Sequence, residues 1–367
     1  MIKDTIFSPS FGNRPVSLVG READVQSIID GLQTRPGSKE RACILLGQRG
    51  TGKTVLLWEV ADRARDAGFV VATPTIVSDG MLGRIVEKIQ FSGEKETKET
   101  RAHLSGGNVG ALGFSIGLQF SLEEEQTKSF QYKLAQLARK LTEQGKGILI
   151  LVDELQASSD EIRQLVIAYQ ELVGEGLNIA LVMAGLPGAV SSVLNDKVLT
   201  FLNRAEKKSL QPLAFGDVDA FLKDSFMRLG ITLSDNLRRQ ASQYIQGSPY
   251  LLQLVGHTIA LYAPDDGYVD EACLKQALET AQEEFENDVC KTTLAALSEK
   301  DIEFLCAMEQ IGCPAHMSDI AAGMKQTPDY AQKYRRRLLD AGIITSPSRG
   351  QVEFAVPYLE EYLSERF

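Results

Sequence analysis

The apolar positions change period along the chain, and each change predicts a different kind of element. In the first half, four short apolar runs are rich in branched residues: Arg41 to Gly47 (RACILLG), Gly68 to Val77 (GFVVATPTIV), Gly147 to Gln156 (GILILVDELQ) and Leu177 to Pro187 (LNIALVMAGLP). Such runs predict strands buried on both faces, and Lys207 to Leu213 (KKSLQPL) predicts a shorter last one. After the first run, Leu56, Leu57, Val60 and Ala64 recur at helical spacing with Gly68 as a stop, and Asp160 to Gly176 has the same period. Strands separated by helices predict an α/β fold with a doubly wound, mostly parallel sheet and right-handed crossovers. Ligand is then expected at the carboxyl ends of the strands.

From Ala214 to about Glu286 only helical spacing remains, in four amphipathic stretches broken by glycine or proline. A further change comes at Leu297. Ser298 opens one helix, His316 to Met324 forms a short second one, and Thr327 followed by Pro328 opens a third. A short helix before a longer third suggests helix-turn-helix, and Ile343 to Pro357 reads as two short strands around Ser346 to Gly350. Three units are therefore expected: 1–213, 214–290 and 291–367. Between Gln90 and Gln126 a charged, then glycine-rich, then alternating stretch predicts an insertion near 91–126. Phe114, Ile116, Leu118 and Phe120 supply its period of two, as in a projecting loop or hairpin, or an edge strand preceded by a surface loop.

Length agrees with several units, since 367 residues exceed what one core usually holds. Hydrophobic residues are 44% and charged residues 24%, with no run long enough to cross a bilayer, so no membrane association is expected. The start of the chain lacks a secretory signal, and a cytoplasmic protein is expected. Of five cysteines only Cys313, with His316, has metal-ligand spacing, and no second pair accompanies it, so buried or surface thiols are the expectation. His257, inside an apolar helix, reads as a packed residue. A net charge of −10 excludes indiscriminate nucleic-acid binding and leaves only a local basic patch.

The chemistry concentrates in two places. Gly47 to Thr54 (GQRGTGKT) joins a strand to a helix, so its glycines let backbone amides converge on phosphate oxygens while the helix N-terminus favours negative charge. Gly47, Gln48, Arg49, Gly50, Thr51, Gly52 and Val55 would surround ATP or ADP. Lys53 would contact the β- and γ-phosphates and Thr54 would bind Mg2+. The buried run ending in Asp153-Glu154 would aim Asp153 at the magnesium shell and Glu154 at the attacking water.

These motifs resemble the AAA+ P-loop ATPases, especially the origin-recognition-like initiators and the related signal-transduction ATPases of bacteria and archaea. The resemblance runs from about Leu18 to the C-terminus. It implies that Val19, Gly20 and Arg21 lie over adenine, that Arg204 is an arginine finger reaching a neighbouring subunit, and that Pro249, in Gln246 to Gly256 (QGSPYLLQLVG), opens a helix of a helical lid and approaches the nucleotide. It implies a winged helix at the C-terminus. Two departures stand out: the strand ends in Ala184 and Gly185 where a polar sensor is usual, and no arginine follows Pro249 in the second-sensor position. Slow hydrolysis in a two-state switch fits these losses better than a motor does.

Lys333, Arg335, Arg336 and Arg337 would lie on or near the recognition helix and Arg349 at the wing tip, the expected contacts to double-stranded DNA. Helical period prevents all of them from facing one groove. Leu297 to Phe367 carries eight Lys/Arg against eleven Asp/Glu, so the unit is net acidic at −3. A DNA-associated ATPase switch is the first reading. The alternative is a signalling ATPase whose terminal unit docks a protein partner or inhibits the core, and a chaperone-like remodeller is a weaker third. A nucleotide-dependent homo-oligomer is expected in the first case.

Overall fold

A computed structural model of the chain describes residues 4–10, 14–104, 129–155 and 159–366. The first half alternates as its pattern requires: α1 (Glu22–Leu32), β1 (Ala42–Leu46), α2 (Lys53–Asp66), β2 (Phe69–Ile76), α3 (Met81–Leu104), α4 (Phe130–Glu143), β3 (Gly147–Leu155), α5 (Asp160–Gly174), β4 (Ile179–Gly185), α6 (Pro187–Leu194) and β5 (Glu206–Ser209). The five strands form one parallel sheet in the order β2-β3-β4-β1-β5. Strand alternation splits its core in two. Ile44, Ile148, Ile150 and Val152 pack towards α3, α4 and α5, while Cys43, Leu45, Leu149 and Leu151 pack towards α1 and α2.

Three expectations change. The charged stretch after Gln90 opens no loop, because it continues α3 as far as Leu104, and the alternation from Phe114 to Phe120 lies outside the described residues. The last strand is Glu206–Ser209, earlier than KKSLQPL suggested. Leu210 still donates its backbone N–H to Leu46 O at 2.8 Å, and Pro212 has no N–H with which to extend the ladder. Two helices, α4 and α6, were not singled out by the sequence pattern.

The second half is helical: α7 (Phe215–Leu229), α8 (Asp235–Tyr244), α9 (Pro249–Tyr262) and α10 (Glu271–Phe285), then a wide turn at Glu286–Cys290, α11 (Lys291–Ala295) and α12 (Glu299–Ile311). β6 (Ala315–His316), α13 (Met317–Gly323), α14 (Pro328–Asp340), β7 (Ile344–Thr345), β8 (Gln351–Phe354) and α15 (Leu359–Ser364) complete it. Side chains cap as expected: Ser298 and Asp301 form a reciprocal box at α12, and Thr327 accepts from Tyr330 N with Pro328 in the first turn of α14. The strands form a small antiparallel sheet, β6-β8-β7, with one strand more than the two expected. One contiguous apolar cluster joins α7–α10 to α12–α15. Among the described residues no helix is long and apolar enough to cross a membrane.

Candidate nucleotide site

The loop between β1 and α2 owes its path to glycines. Gly50 and Gly52 have φ of 77° and 85°, the left-handed region that other residues enter at a cost. Gly47 lacks a side chain for a different reason, since an added Cβ would lie 2.5 Å from Thr51 Oγ1. That hydroxyl donates to Gln48 O at 2.8 Å and fixes the turn. Lys53 folds back along the loop, its Nζ donating to Gly47 O at 2.8 Å and Gln48 O at 2.5 Å. Burial lowers its pKa to about 8, against the opposing pull of Asp153 and Glu154 and with a smaller lowering from Arg49.

The end of β3 meets the start of α2. Asp153, 5% exposed, accepts a hydrogen bond from Thr54 Oγ1 at 2.7 Å, so a hydroxyl and a carboxylate 99 residues apart converge. Oxygen donors of this kind suit a hard divalent cation sharing its shell with phosphate oxygens. Among the described residues no cluster of three or more His, Cys, Asp or Glu offers a site built from protein alone. The register of β3 shifts between Val152 and Leu155, where Glu154 has φ of 52°, is exposed, and donates its N–H to Asp153 Oδ1 at 2.9 Å. Gly185 ends the neighbouring strand β4. A Cβ there would lie 2.9 Å from Leu155 Cβ, so packing leaves no room for a side chain at this strand end.

Two other segments flank the loop. Val19 packs against the helical half, Gly20 has φ of 63°, and Arg21 caps α1 with its side chain 6% exposed, Nη2 donating to Gln211 O at 2.5 Å and Nε without a partner. Burial lowers the pKa of Arg21, and Asp24 opposes the shift. Pro249 begins α9 beside the loop: a Cβ on Gly52 would lie 3.8 Å from its ring, and one on Gly50 3.4 Å from Tyr250 Cβ. Gln48 and Arg49 border a cleft of about 680 Å³ that Arg21 and Pro249 share. Val55 follows Thr54 into α2 and is half-buried.

Residues 17–183 match the family model described as the AAA ATPase domain. The segment is an AAA ATPase domain. A second model, described as a domain of unknown function (DUF8462), matches residues 287–363. No curated protein matches the sequence. Among solved structures, the fold is similar to that of the Walker-type ATPase PABY2304 of Pyrococcus abyssi, at 16% identity over 99% of this chain and 100% of that one, with a TM-score of 0.66. It is similar to the Aeropyrum pernix ORC2 protein in its ADPNP-ADP complexes, at 14% identity over 98% of both chains and a TM-score of 0.61. Cdc6p from Pyrobaculum aerophilum shares 17% identity over 98% of both chains, with a TM-score of 0.52. The fold is thus shared with all three, and the resemblance read from the motifs holds at the level of fold.

The remaining predicted residues are scattered. Arg204 is exposed at the end of a short 3-10 turn (Thr200–Arg204) and does not line the cleft of the AAA ATPase domain. On α14, Lys333, Arg336 and Arg337 are exposed, Arg337 pairing with Asp301 at 2.8 Å, while Arg335 is partly buried and its Nη2 donates to Ser346 Oγ at 3.0 Å. Arg349 is exposed in the turn between β7 and β8. His257 is only partly buried, and its Nδ1 lies 2.6 Å from Asp4 Oδ2.

The far wall of the cleft has no signal in any local motif. It comes from the C-terminal residues Gly342, Thr345, Glu353, Glu360 and Glu361 among others. A Cβ on Gly342 would lie 3.0 Å from Gln48 Cγ, and one on Gly188 of α6 would lie 2.5 Å from Asp340 O. The end of α14 therefore rests against the nucleotide-binding loop.

Proposed function

We propose that the chain is an ATP-binding, slowly hydrolysing switch in which nucleotide at the P-loop is coupled to the C-terminal unit, read here as a winged helix. The observation that carries this is the shared cleft: one wall is the phosphate loop and the opposite wall is the C-terminal unit, in contact at Gln48 and Gly342. A ligand that reshapes one wall must do work on the other. In this reading Lys53 and the loop amides hold the phosphates, Thr54 and Asp153 hold Mg2+, and Glu154 orients water. Val19 to Arg21 and Pro249 bound the base, and Arg204 acts on the site of a second copy. Bound Mg2+ would neutralise charge on the phosphoryl oxygens. Slow turnover follows from Ala184 and Gly185, which supply no polar side chain to fix the attacking water.

For the terminal unit the favoured ligand is double-stranded DNA, held by Lys333, Arg336 and Arg349. The test is binding to a labelled duplex with ADP and with a slowly hydrolysed ATP analogue across a salt series. Three neutralised phosphates should weaken binding about forty-fold between 50 and 200 mM salt. Loss of that slope on changing Lys333 and Arg336 to Ala supports the reading, whereas no binding in either nucleotide state refutes it. A protein partner is the second reading. It is favoured by the ion pair of Arg337 with Asp301, which offsets the charge of one of the five expected cations.

A further inference from the structure

The segment Asp4–Ser8 is built into the helical half of the molecule. Ile6 and Phe7 are buried, and the Phe7 ring meets Phe221 edge-on at 5.9 Å and Phe226 at 5.7 Å. It also fills a notch over Gly256, where an added Cβ would lie 2.0 Å from the ring. Polar contacts fix its register. Ser8 N donates to Gln253 Oε1 at 2.9 Å, Asp4 Oδ1 accepts from Ile6 N and Phe7 N at 2.9 and 3.0 Å, and Asp4 Oδ2 meets His257 Nδ1.

Gln253, Gly256 and His257 all belong to α9, whose first turn, at Pro249 and Tyr250, abuts Gly52 and Gly50 of the phosphate loop. Roughly 10 Å of continuous helix separates Pro249 from Gly256, so a displacement at the notch reaches the loop with little bending. Glycine weakens a helix interior, and here the missing side chain is what admits the Phe7 ring. We propose that Phe7, seated on Gly256, is a positioning residue for nucleotide binding: the Asp4–Ser8 strap pins α9 so that its first turn stays against the phosphate loop. The inference rests on the P-loop being the nucleotide site.

The test uses the full chain and a fluorescent ADP analogue. Gly256→Ala adds a methyl that strengthens the helix by propensity yet expels the Phe7 ring, so it separates helix stability from strap seating. Phe7→Ala and Gly256→Ala are each expected to raise Kd about tenfold, within the usual range of coupling between sites. The double variant should lose no more than either single one, since both break one contact, and Phe7→Leu should stay near the parent value. Unchanged Kd in Gly256→Ala, with helical circular dichroism and a cooperative melt retained, overturns the proposal, and does so even if Phe7→Ala fails to fold. Lys53→Ala reports separately on the site: if it leaves Kd unaltered, the P-loop assignment is wrong and the strap has nothing to position.

Discussion

Raising the pH from 7 to 9 should weaken ATP binding about tenfold through Lys53 alone. The side chain is buried along the loop and its pKa is lowered to about 8, burial outweighing the attraction of Asp153 and Glu154. Phosphate oxygens beside the ammonium favour its charged form, so binding at high pH must first draw a proton from solvent. With a pKa of about 8, the protonated fraction falls from roughly nine-tenths at pH 7 to roughly one-tenth at pH 9, and affinity follows that fraction. The sign also applies to folding. A lysine whose folded pKa is depressed opposes folding most below that pKa, and the opposition fades as pH rises from about 8 towards the unfolded value of about 10.4. The assay is titration of a fluorescent ATP analogue at half-unit pH steps, with calorimetry in two buffers of different ionisation enthalpy to count the proton. Lys53→Arg is the control, because guanidinium stays charged throughout and retains only the ionisation of the nucleotide itself. Equal pH slopes in the two proteins, or no buffer dependence at pH 9, would refute the reasoning.

Three other outcomes are expected. Glu154→Gln should keep ATP bound while slowing phosphate release about a hundred-fold, the ordinary scale for loss of a general base; full turnover in a phosphate-release assay would assign the water to another residue. Arg337→Ala should destabilise the C-terminal unit by about 1–3 kcal/mol, because Asp301 is left buried without its cation while the half-exposed arginine is already screened by solvent; a denaturant midpoint identical to the parent would contradict this. Arg204→Ala should lower turnover at least tenfold at concentrations where the chain self-associates, with nucleotide Kd unchanged. An equal loss in dilute monomer, checked by analytical ultracentrifugation, would remove the role between subunits.

Much of the fold was legible because its signals are local. A strand, a glycine turn and a helix occupy 25 consecutive residues from Ala42 to Asp66, and the carboxylates that end β3 follow an unbroken buried run. The sheet order was not legible, because the insertion of β4 between β1 and β3 is decided by packing between residues more than a hundred positions apart. Similarly, helical period established that the four basic residues of α14 cannot share one face. The contacts of Arg337 with Asp301 and of Arg335 with Ser346 join residues distant in sequence and leave no local signal. The charged run after Gln90 misled because a run of charges is compatible with a helix as well as with a loop, and α3 continues through it.

The contact of Gly342 with Gln48 has a thermodynamic consequence that no local motif carries. If nucleotide changes the affinity of the C-terminal unit for its ligand by some factor, that ligand must change the affinity for nucleotide by the same factor. The shared cleft makes this reciprocity physical, since the carboxylates of Glu353, Glu360 and Glu361 face the same space as the phosphate loop. A triphosphate would bring negative charge between the Arg21 and Arg49 side of this space and its Glu353, Glu360 and Glu361 side, attracting the first and favouring movement of the second away. A ligand that draws the terminal unit outward therefore removes the repulsion and tightens ATP binding in return. Coupling of this kind is commonly worth 5- to 150-fold, enough to bias a two-state switch without a fast hydrolytic cycle.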